Sequence, residues 1–402
     1  MYSRPFGGGL SCGEASSPKV LKCYRVSFSG EIGVKAPATR RELEDLGVQT
    51  LLSRAEALGI PLRVEREGGR LRVELPGEHE RLLRTHPGLG RITELLEPSA
   101  EELLSPPFWE ELLPPRPFTF VVYVPSIRSR ESFSRLLHLK GRLLEILRDL
   151  ARRHLSYWDN HPPEHLEIHL EGRERNLLLL LRPRRGLGGL PVGSGERVLL
   201  LFSGGPDSLL AAVRLLSRGQ EVALVFFDDE VPGRAEKVKT AARELAYFLP
   251  RARVEFFRVA FREVQELIGE KVPRRERCFF CKACMLLIAD EVARREGFSA
   301  VATGEILGEQ ASQTLPALLF TVRASKTYPF RPLLGYTKEE VFRDLAELGL
   351  SAAARRNLPP CPFVPDHPRT RPRSRPEKVL HLWPEIQKRV KSIGREILSY
   401  GG

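Results

Sequence analysis

The sequence predicts an α/β protein in two parts: a small ferredoxin-like unit near the N-terminus and a doubly wound parallel sheet in the C-terminal half. Three observations lead to this prediction. A β-α-β-β order of segments begins at Leu21. From Arg197 onward, predominantly apolar strands alternate with helical segments, which is typical of a parallel sheet covered on both faces. An Arg- and Gly-rich stretch at 182–193 separates the two patterns.

The bulk composition is that of a globular protein with an excess of positive charge. The chain has 402 residues, of which 42% are apolar and 28% charged, values that exclude wholesale disorder. Its 63 Lys and Arg against 51 Asp and Glu give a net charge of +12, which favours a polyanionic partner. Six cysteines are too few for a disulfide scaffold. No apolar run has the length of a membrane span or a signal peptide, so we expect a cytoplasmic protein.

The N-terminal half is predicted to contain a tail followed by a mixture of strands and helices. The Gly- and Ser-rich residues 1–20 predict a flexible tail. The following predicted elements are a strand at 21–29, a helix at 39–57, hairpin strands at 62–67 and 70–74, a helix from 81, a strand at 118–124, a basic helix at 132–155 and strands at 165–170 and 176–181. The first five of these fit a ferredoxin-like unit.

The C-terminal half continues with alternating elements. They are a strand at 197–202, a helix at 207–217, a strand at 221–227, a helix at 233–248, a strand at 253–258, a helix at 260–269 and a further helix ending near Glu296. Each strand is short and has a continuous apolar stretch or an apolar centre, so we expect all of them to be buried between two layers of helices.

A glycine-rich turn, SGGPDS, follows the first apolar strand of this half. Gly204 and Gly205 let the backbone approach a phosphate, and Ser203 and Ser208 add hydroxyl donors. The lysine of the Walker loop and the GxGxxG dinucleotide pattern are both absent. Because a carboxylate in an anion loop repels phosphate unless a metal bridges them, Asp207 suggests a Mg²⁺-linked pyrophosphate. A plain strand–helix turn capped by Asp207 is the alternative.

This turn resembles the PP-loop of the ATP pyrophosphatases, which adenylate a substrate and release pyrophosphate. Four further strings resemble tRNA 4-thiouridine synthases of the ThiI family and occur in that family's order. They are GEIGVK at 30–35, GLGGLPVG at 186–193, TGEILGEQASQT at 303–314 and RPLLGYTKE at 331–339. The resemblance extends from about residue 21 to about residue 378.

The resemblance implies an architecture and a reaction. It implies a tail at 1–20, a ferredoxin-like domain at 21–85, a tRNA-binding THUMP domain at 86–182, a linker at 183–196 and a PP-loop catalytic domain at 197–402. In the family, ATP adenylates O4 of a tRNA uridine, uridine 8, and persulfide sulfur displaces AMP to give 4-thiouridine. Many members also supply sulfur for the thiazole of thiamine.

The implied partners follow from this chemistry. They are tRNA, a sulfur donor (a cysteine desulfurase persulfide or sulfide), a thiamine sulfur-carrier protein and a second copy of the chain.

Residues are carried over from the family by matching position. The ATP contacts implied in this way are Leu201, Phe202, Ser203, Gly204, Gly205, Asp207, Ser208, Phe226, Phe227, Lys282, Gly304 and Gln313. Lys338 matches a catalytic lysine, whose charge would offset charge developing on the phosphate. Thr337 precedes it where the family has Asp. The alternative for Lys338 is a solvated cation near a helix start.

The cysteines provide a second candidate site. Cys278, Cys281 and Cys284 follow CxxCxxC spacing at a predicted helix N-terminus, which suggests lowered thiol pKa values and suits zinc or an iron–sulfur cluster. Family members without a rhodanese domain resemble this chain in having CxxC and a third cysteine before Phe-x-Pro, here Cys361, after which few residues remain. The resemblance favours an iron–sulfur cluster on Cys278, Cys281 and Cys361, and makes Cys361 a candidate catalytic residue.

Other uses of these thiols stay open from the sequence. They are cluster-free persulfide or disulfide chemistry, zinc binding and inert packing, and Cys284 is either a ligand or a core residue.

Basic side chains indicate where RNA phosphates could bind, because arginine forks match phosphate oxygens. The candidates are Lys140 and Arg142 on the basic helix, Arg184 and Arg185 before the linker, and the arginine-dense segment 369–375. A solvated charged surface is the alternative for each of them.

Two other functions compete with the leading one. A tRNA 2-thiolase would share the loop and the thiol chemistry but not the string at 303–314. A non-catalytic RNA-binding protein with an iron–sulfur or zinc site would have no need of Asp207 and Lys338 together.

Overall fold

The computed structural model describes residues 21–113, 118–124, 130–154, 164–173, 176–354 and 359–401; the predicted tail at 1–20 lies outside these ranges. The strands are β1 (Leu21–Phe28), β2 (Arg63–Glu67), β3 (Arg70–Pro76), β4 (Leu89–Leu96), β5 (Phe118–Tyr123), β6 (Glu164–Arg173), β7 (Asn176–Arg185), β8 (Arg197–Leu201), β9 (Glu221–Asp228), β10 (Arg253–Ala260), β11 (Ala300–Thr303) and β12 (Ile393–Ser399).

The helices complete the two layers around these strands. They are α1 (Gly30–Gly33), α2 (Pro37–Ala57), α3 (Arg81–Arg84), α4 (Ala100–Leu103), α5 (Pro106–Leu112), α6 (Arg130–His154), α7 (Pro206–Ser217), α8 (Arg234–Ala246), α9 (Arg262–Lys271), α10 (Arg277–Glu296), α11 (Leu315–Ala324), α12 (Lys338–Glu347), α13 (Ser351–Ala354) and α14 (Glu377–Arg389). Among the described residues, none of these helices combines the length and apolar character that a membrane crossing requires.

The N-terminal half is built on one seven-stranded sheet in the order β2-β3-β1-β4-β7-β6-β5. Strand β4 pairs with β1 on one side and with β7 on the other, so it joins the ferredoxin-like part to the part predicted as the THUMP domain. The sequence did not predict β4 because Glu94 interrupts its apolar pattern. That carboxylate is buried and paired with Lys22 and Arg182. The domain division at residue 85 stays a prediction.

The C-terminal half confirms the predicted doubly wound sheet. Its order is β11-β8-β9-β10-β12, with the first four strands parallel. Alternate strand residues enter two hydrophobic cores: Leu200 and Phe226 face the side of α7 and α8, whereas Leu199 and Phe227 face the side of α9 and α10. The antiparallel edge strand β12, largely exposed, carries little apolar signal and was not predicted.

The glycine-rich stretch predicted as a linker is packed between the halves. The N–H of Leu190 donates to the carbonyl of Ser217 at 2.9 Å, and the Ser29 hydroxyl donates to the carbonyl of Gly189 at 2.5 Å. Gly189 has φ +73°, and a Cβ there would lie 1.8 Å from the Ser217 oxygen. Only glycine fits this position, so the stretch holds two backbones together.

An arginine–tyrosine–arginine stack forms a second junction between the halves. The ring of Tyr247, at the end of α8, has the guanidinium of Arg54 at 4.4 Å from its centroid and that of Arg81 at 4.5 Å. Arg54 is fully buried and also donates to Thr85 Oγ1 at 2.6 Å. Arg81 donates to the carbonyl of Leu348 at 3.0 Å. One buried and one partly buried cation therefore contact the same aromatic ring.

We predict that Tyr247→Leu lowers the free energy of unfolding by about 2–4 kcal/mol, because it removes two cation–π contacts, one of them to the fully buried Arg54, and part of a packed ring. Chemical denaturation measures the loss, and limited proteolysis should then cut within 186–193. The control is Tyr328→Leu, since the Tyr328 side chain is 84% exposed. Equal stability of the two variants would contradict a structural role for the stack.

Candidate active site

The predicted site residues gather where the parallel strands of the C-terminal sheet end. Strand β8 ends at Leu201, β9 at Asp228 and β11 at Thr303, and these three strands are neighbours. The carboxyl edge of an open parallel sheet is the general location of ligand sites in such folds. The loops after these strands carry most of the candidate residues.

The glycine-rich turn after β8 has the geometry of an anion-binding loop. Gly204 has φ +74°, and a Cβ there would lie 3.1 Å from the Cα of Val238. The hydroxyls of Ser203 and Ser208 are 3.3 Å apart, and Ser208 Oγ donates to the carbonyl of Gly205 at 3.0 Å. Helix α7 starts directly behind the turn, so its free N–H groups and its dipole face the same region.

Asp207 and Lys338, the two predicted catalytic residues of the nucleotide site, form an ion pair. Lys338 Nζ lies 2.5 and 2.6 Å from the two Asp207 carboxylate oxygens. A capping box between Thr337 and Glu340 starts α12 and fixes Lys338 at its first position. The side chains are 37% and 19% exposed, so the pair is accessible from the loop side.

A close backbone contact joins the β11 loop to the phosphate loop. A Cβ on Gly304 would lie 2.9 Å from the carbonyl carbon and oxygen of Asp207 and from the Ser208 nitrogen. Any side chain at residue 304 would therefore push the two loops apart. The TGE segment after β11 depends on this glycine for its position.

Glu305 is a buried acidic residue of the site. It was not among the site residues predicted from the sequence. Its carboxylate accepts from Lys282 Nζ at 3.0 Å, Arg331 Nε at 2.9 Å and Thr303 Oγ1 at 3.1 Å. Burial favours the neutral acid, but the charges and hydrogen bonds of Lys282 and Arg331 outweigh it and hold the pKa of Glu305 below its ordinary value. Its position, two residues after the end of a strand in the parallel sheet, was the feature of the sequence that could have indicated a site residue.

The other predicted nucleotide contacts divide into core and polar residues. Phe202 is buried, and its N–H donates to the Val225 carbonyl at 2.8 Å. The rings of Phe226 and Phe227 pack in the two hydrophobic cores, which leaves only their backbone for a ligand. Gln313 is buried, and its side-chain oxygen has no hydrogen-bond partner among the described residues. That oxygen is a candidate acceptor for a ligand donor.

Three of the cysteines come together near the start of α10. Cys278 and Cys281 lie in its first turns and are half-buried. Burial raises the pKa of both thiols, and charge on Cys361, which lies on the loop before α14, would raise it further. The amide of Gln265 donates to Cys361 Sγ at 3.7 Å. Cys284 instead lies fully buried in the apolar core.

The prediction of lowered thiol pKa values was wrong. Burial, together with the neighbouring thiols, raises the pKa of Cys278 and raises that of Cys281 well above its ordinary value. Burial alone raises the pKa of Cys284 to about 12. Desolvation outweighs the nearby cations Lys282 and Arg277. Within the described ranges, no three His, Cys, Asp or Glu side chains are already arranged to hold a metal ion.

Acidic residues after β9 connect the Cys361 loop to the sheet edge and were not predicted. Asp228 is buried and accepts from Arg258 Nε at 2.7 Å. Asp229, also buried, pairs with Arg234, which in turn donates to the carbonyl of Pro359. This chain of contacts fixes the start of the segment that carries Cys361.

The predicted RNA-binding residues lie in the N-terminal half. Lys140 and Arg142 are on α6, where Arg142 is exposed and Lys140 half-buried. Arg184 and Arg185 end β7; Arg184 pairs with Glu80 at 3.1 Å, whereas Arg185 is exposed. Their role stays a prediction.

Comparison with known proteins connects these features to one family. The family model described as "Thiamine biosynthesis protein (ThiI)" matches residues 193–386. A "Probable tRNA sulfurtransferase" of Aeropyrum pernix is 34% identical over 381 residues, which cover 88% of this chain and 91% of that protein. One of Thermus thermophilus is 39% identical over 220 residues, 51% of this chain and 54% of that protein, so this match spans about half of the relative's length.

Solved structures show the same fold. The crystal structure of a 4-thiouridine synthetase–RNA complex with bound ATP matches with a TM-score of 0.70 at 24% identity, over 94% of this chain and 100% of that chain. PH1313 from Pyrococcus horikoshii matches with a TM-score of 0.54 at 18% identity, over 82% and 100%. The two-sheet α/β arrangement, with parallel strands in the C-terminal sheet, is therefore the fold that this chain shares with them.

We predict that Glu305→Gln lowers the free energy of unfolding by about 2–4 kcal/mol at neutral pH, because it leaves Lys282 and Arg331 without their shared counter-charge. Since the pKa of Glu305 lies below its ordinary value of 4.5, the difference should shrink as the pH falls below 4.5. Denaturant titrations across pH measure both effects. Glu309→Gln, an exposed change in the same loop, is the control; an equal loss there would contradict the prediction.

Proposed function

The chain belongs to the ThiI family, and from this premise we propose that it is an ATP-dependent tRNA sulfurtransferase that converts a tRNA uridine to 4-thiouridine. The observation that carries the proposal is the Asp207–Lys338 ion pair at the mouth of the glycine-rich loop. The Asp207 carboxylate could bind a metal ion that also contacts the phosphates of ATP. The Lys338 ammonium group could offset negative charge on the phosphoryl group during the reaction. The buried Lys282–Glu305 pair lies between this site and the thiols.

The first step forms an activated uridine. Uridine O4 attacks the α-phosphorus of ATP, the bond to the bridging oxygen breaks, and pyrophosphate leaves. The loop N–H groups and the start of α7 hold the phosphates. Lys338 offsets the charge that develops as pyrophosphate departs.

Asp207 is the residue that would hold Mg²⁺. Mg²⁺ is commonly bound by one or two carboxylates together with substrate phosphates, and the partly exposed Asp207 carboxylate fits that use. When bound, the ion would neutralise phosphate charge next to the carboxylate. Lys338, which contacts Asp207 in this structure, would exchange part of that contact for contact with the phosphates of ATP.

The second step replaces oxygen by sulfur. Hydrosulfide attacks C4 of the activated uridine, the C4–O4 bond breaks, AMP leaves with O4, and the proton of the hydrosulfide is lost. With a persulfide donor, the same attack would leave a disulfide between the donor and C4, which a second cysteine thiol would cleave to release 4-thiouridine. Cys278, Cys281 and Cys361 are proposed to hold an iron–sulfur cluster, since soft thiolates are the ligands such clusters take. Cys278 and Cys281 are three residues apart in the first turns of α10, so both thiols lie on one face of the helix. A four-iron cluster held by these three cysteines would have one iron without a protein ligand, and this iron would supply a binding place for inorganic sulfur.

The remaining features of the proposal concern partners. The N-terminal half, as a THUMP-containing unit, would hold tRNA so that uridine 8 reaches the loop, with Lys140, Arg142 and Arg185 as phosphate contacts. The net charge of +12 supports a polyanionic partner. Sulfide or a desulfurase persulfide would supply sulfur, thiamine synthesis would be a second use of it, and the cytoplasm is the proposed location.

We predict that Asp207→Asn and Lys338→Gln each lower ATP-dependent pyrophosphate release with unmodified tRNA by about 10²–10³-fold, because each removes one charge that acts on the phosphates. Binding of tRNA should stay within about twofold of wild type, since tRNA is held mainly elsewhere. Lys326→Gln, a change of an exposed lysine, is the matched control. Wild-type pyrophosphate release by Asp207→Asn would refute the assigned mechanism.

We predict that Cys278→Ser, Cys281→Ser and Cys361→Ser each abolish 4-thiouridine formation but keep pyrophosphate release, because only the second step uses the thiols. Nucleoside mass analysis and pyrophosphate assays separate the two steps. Cys284→Ala is the control, chosen because a serine hydroxyl would be buried in the apolar core.

The cluster itself is tested by anaerobic purification. Iron and sulfide should copurify with wild type and Cys284→Ala and be lost from the three Ser variants. Iron-free protein that is fully active with a persulfide donor would exclude the cluster and favour a persulfide on Cys361.

A further inference from the structure

The segment Arg369–Arg375, with the sequence RTRPRSR, forms an exposed row of arginines that we term the arginine strip. Arg371, Arg373 and Arg375 are exposed, while the residues between them are partly covered. In the described part of the chain, no carboxylate lies within ion-pair distance of these three guanidinium groups. Three unneutralised positive charges therefore face solvent on one short segment.

The backbone of the arginine strip is held by a buried carboxylate. Glu276, 3% exposed, accepts from the N–H of Arg373 at 2.9 Å and from the N–H of Ser374 at 3.0 Å. Arg369 Nε lies 3.7 Å from the same carboxylate. Burial alone would raise the pKa of Glu276, but these hydrogen bonds and Arg369 lower it, so the anchor is ionised at neutral pH. The strip is thus fixed from inside while its alternate side chains remain outside.

The anchors of the strip place it between the two parts of the candidate active site. Glu276 precedes Cys278 by two residues at the start of α10. On the other side, the Thr314 hydroxyl donates to the carbonyl of Thr370, and Thr314 directly follows Gln313. One anchor therefore adjoins the thiols and the other adjoins the predicted nucleotide contact.

We propose that the arginine strip binds the phosphates of the tRNA strand that flank the target uridine. This inference rests on the proposed function and adds a contact surface in the catalytic half to the one expected in the N-terminal half. Arginine forks match phosphate oxygens, and a segment whose backbone is already fixed loses little conformational entropy on binding. The strip lies beside both the thiols and the predicted nucleotide contact. The backbone of a uridine that reacts between them would therefore pass close to the strip.

The test variant is Arg371→Gln/Arg373→Gln, which keeps the backbone bonds to Glu276. We expect tRNA affinity to fall about tenfold and the slope of log K against log salt to decrease by about 1.4, or about 0.7 for each lost single-strand phosphate contact. Direct ATP binding should not change. The matched control is Arg253→Gln/Arg294→Gln. These exposed arginines, at the start of β10 and near the end of α10, lie at the edge of the sheet where the parallel strands begin, away from the carboxyl edge that carries the candidate site.

The outcomes distinguish this inference from others. Unchanged tRNA affinity and salt slope in the test variant, with an active wild type, would overturn it. If those stay unchanged while thiolation falls with a protein persulfide donor but not with sulfide, the strip docks the donor and the RNA assignment is wrong. An equal loss of tRNA affinity in the control variant would show that the effect comes from the lower net charge alone, and this would also overturn the inference. A wild type without ATP-dependent thiolation would instead refute the proposed function.

Discussion

The buried carboxylate of Glu305 is the interaction on which the arrangement of the catalytic half depends. It binds Lys282 from the thiol-bearing helix and Arg331 from the loop before α12, and Gly304 next to it touches the phosphate loop. A buried acid with two cations is stable only while both are present. The nucleotide loop, the thiol helix and the approach to Lys338 are consequently held in one geometry by a single charged group.

Charge compensation differs between the two parts of the site. Asp207 and Glu305 each have a cationic partner in contact. Cys278 and Cys281 do not, and the pKa of each thiol is raised by burial and by the neighbouring thiols. A substrate with phosphates can enter the first part by exchanging partners, whereas a bound cation would stabilise the thiolates of the second part. This contrast matches a two-step reaction in which ATP chemistry and sulfur chemistry are separable.

Much of this could be predicted from sequence because the signals are local. The apolar strands, the SGGPDS turn and the start of the lysine helix each lie within a few residues. What was missed depends on distant partners. Strand β4 was missed because Glu94 interrupts its apolar pattern. The sequence does not show that Lys22 and Arg182 neutralise the charge of this buried carboxylate. The thiol pKa values were predicted with the wrong sign because helix position is visible in sequence and burial is not.

The rigid junction between the halves constrains how an RNA could be used. Backbone contact at Gly189 and the stack on Tyr247 join the N-terminal sheet to the catalytic sheet without a free linker. In the proposed function, an RNA held by the N-terminal half would meet the phosphate loop at a distance fixed by the protein. Selection of one uridine would then follow from the shape of the RNA rather than from reading its bases, as is usual for folded RNA. The arginine strip would bind the RNA backbone near the phosphate loop, where the strand would bend to present the base of the target uridine.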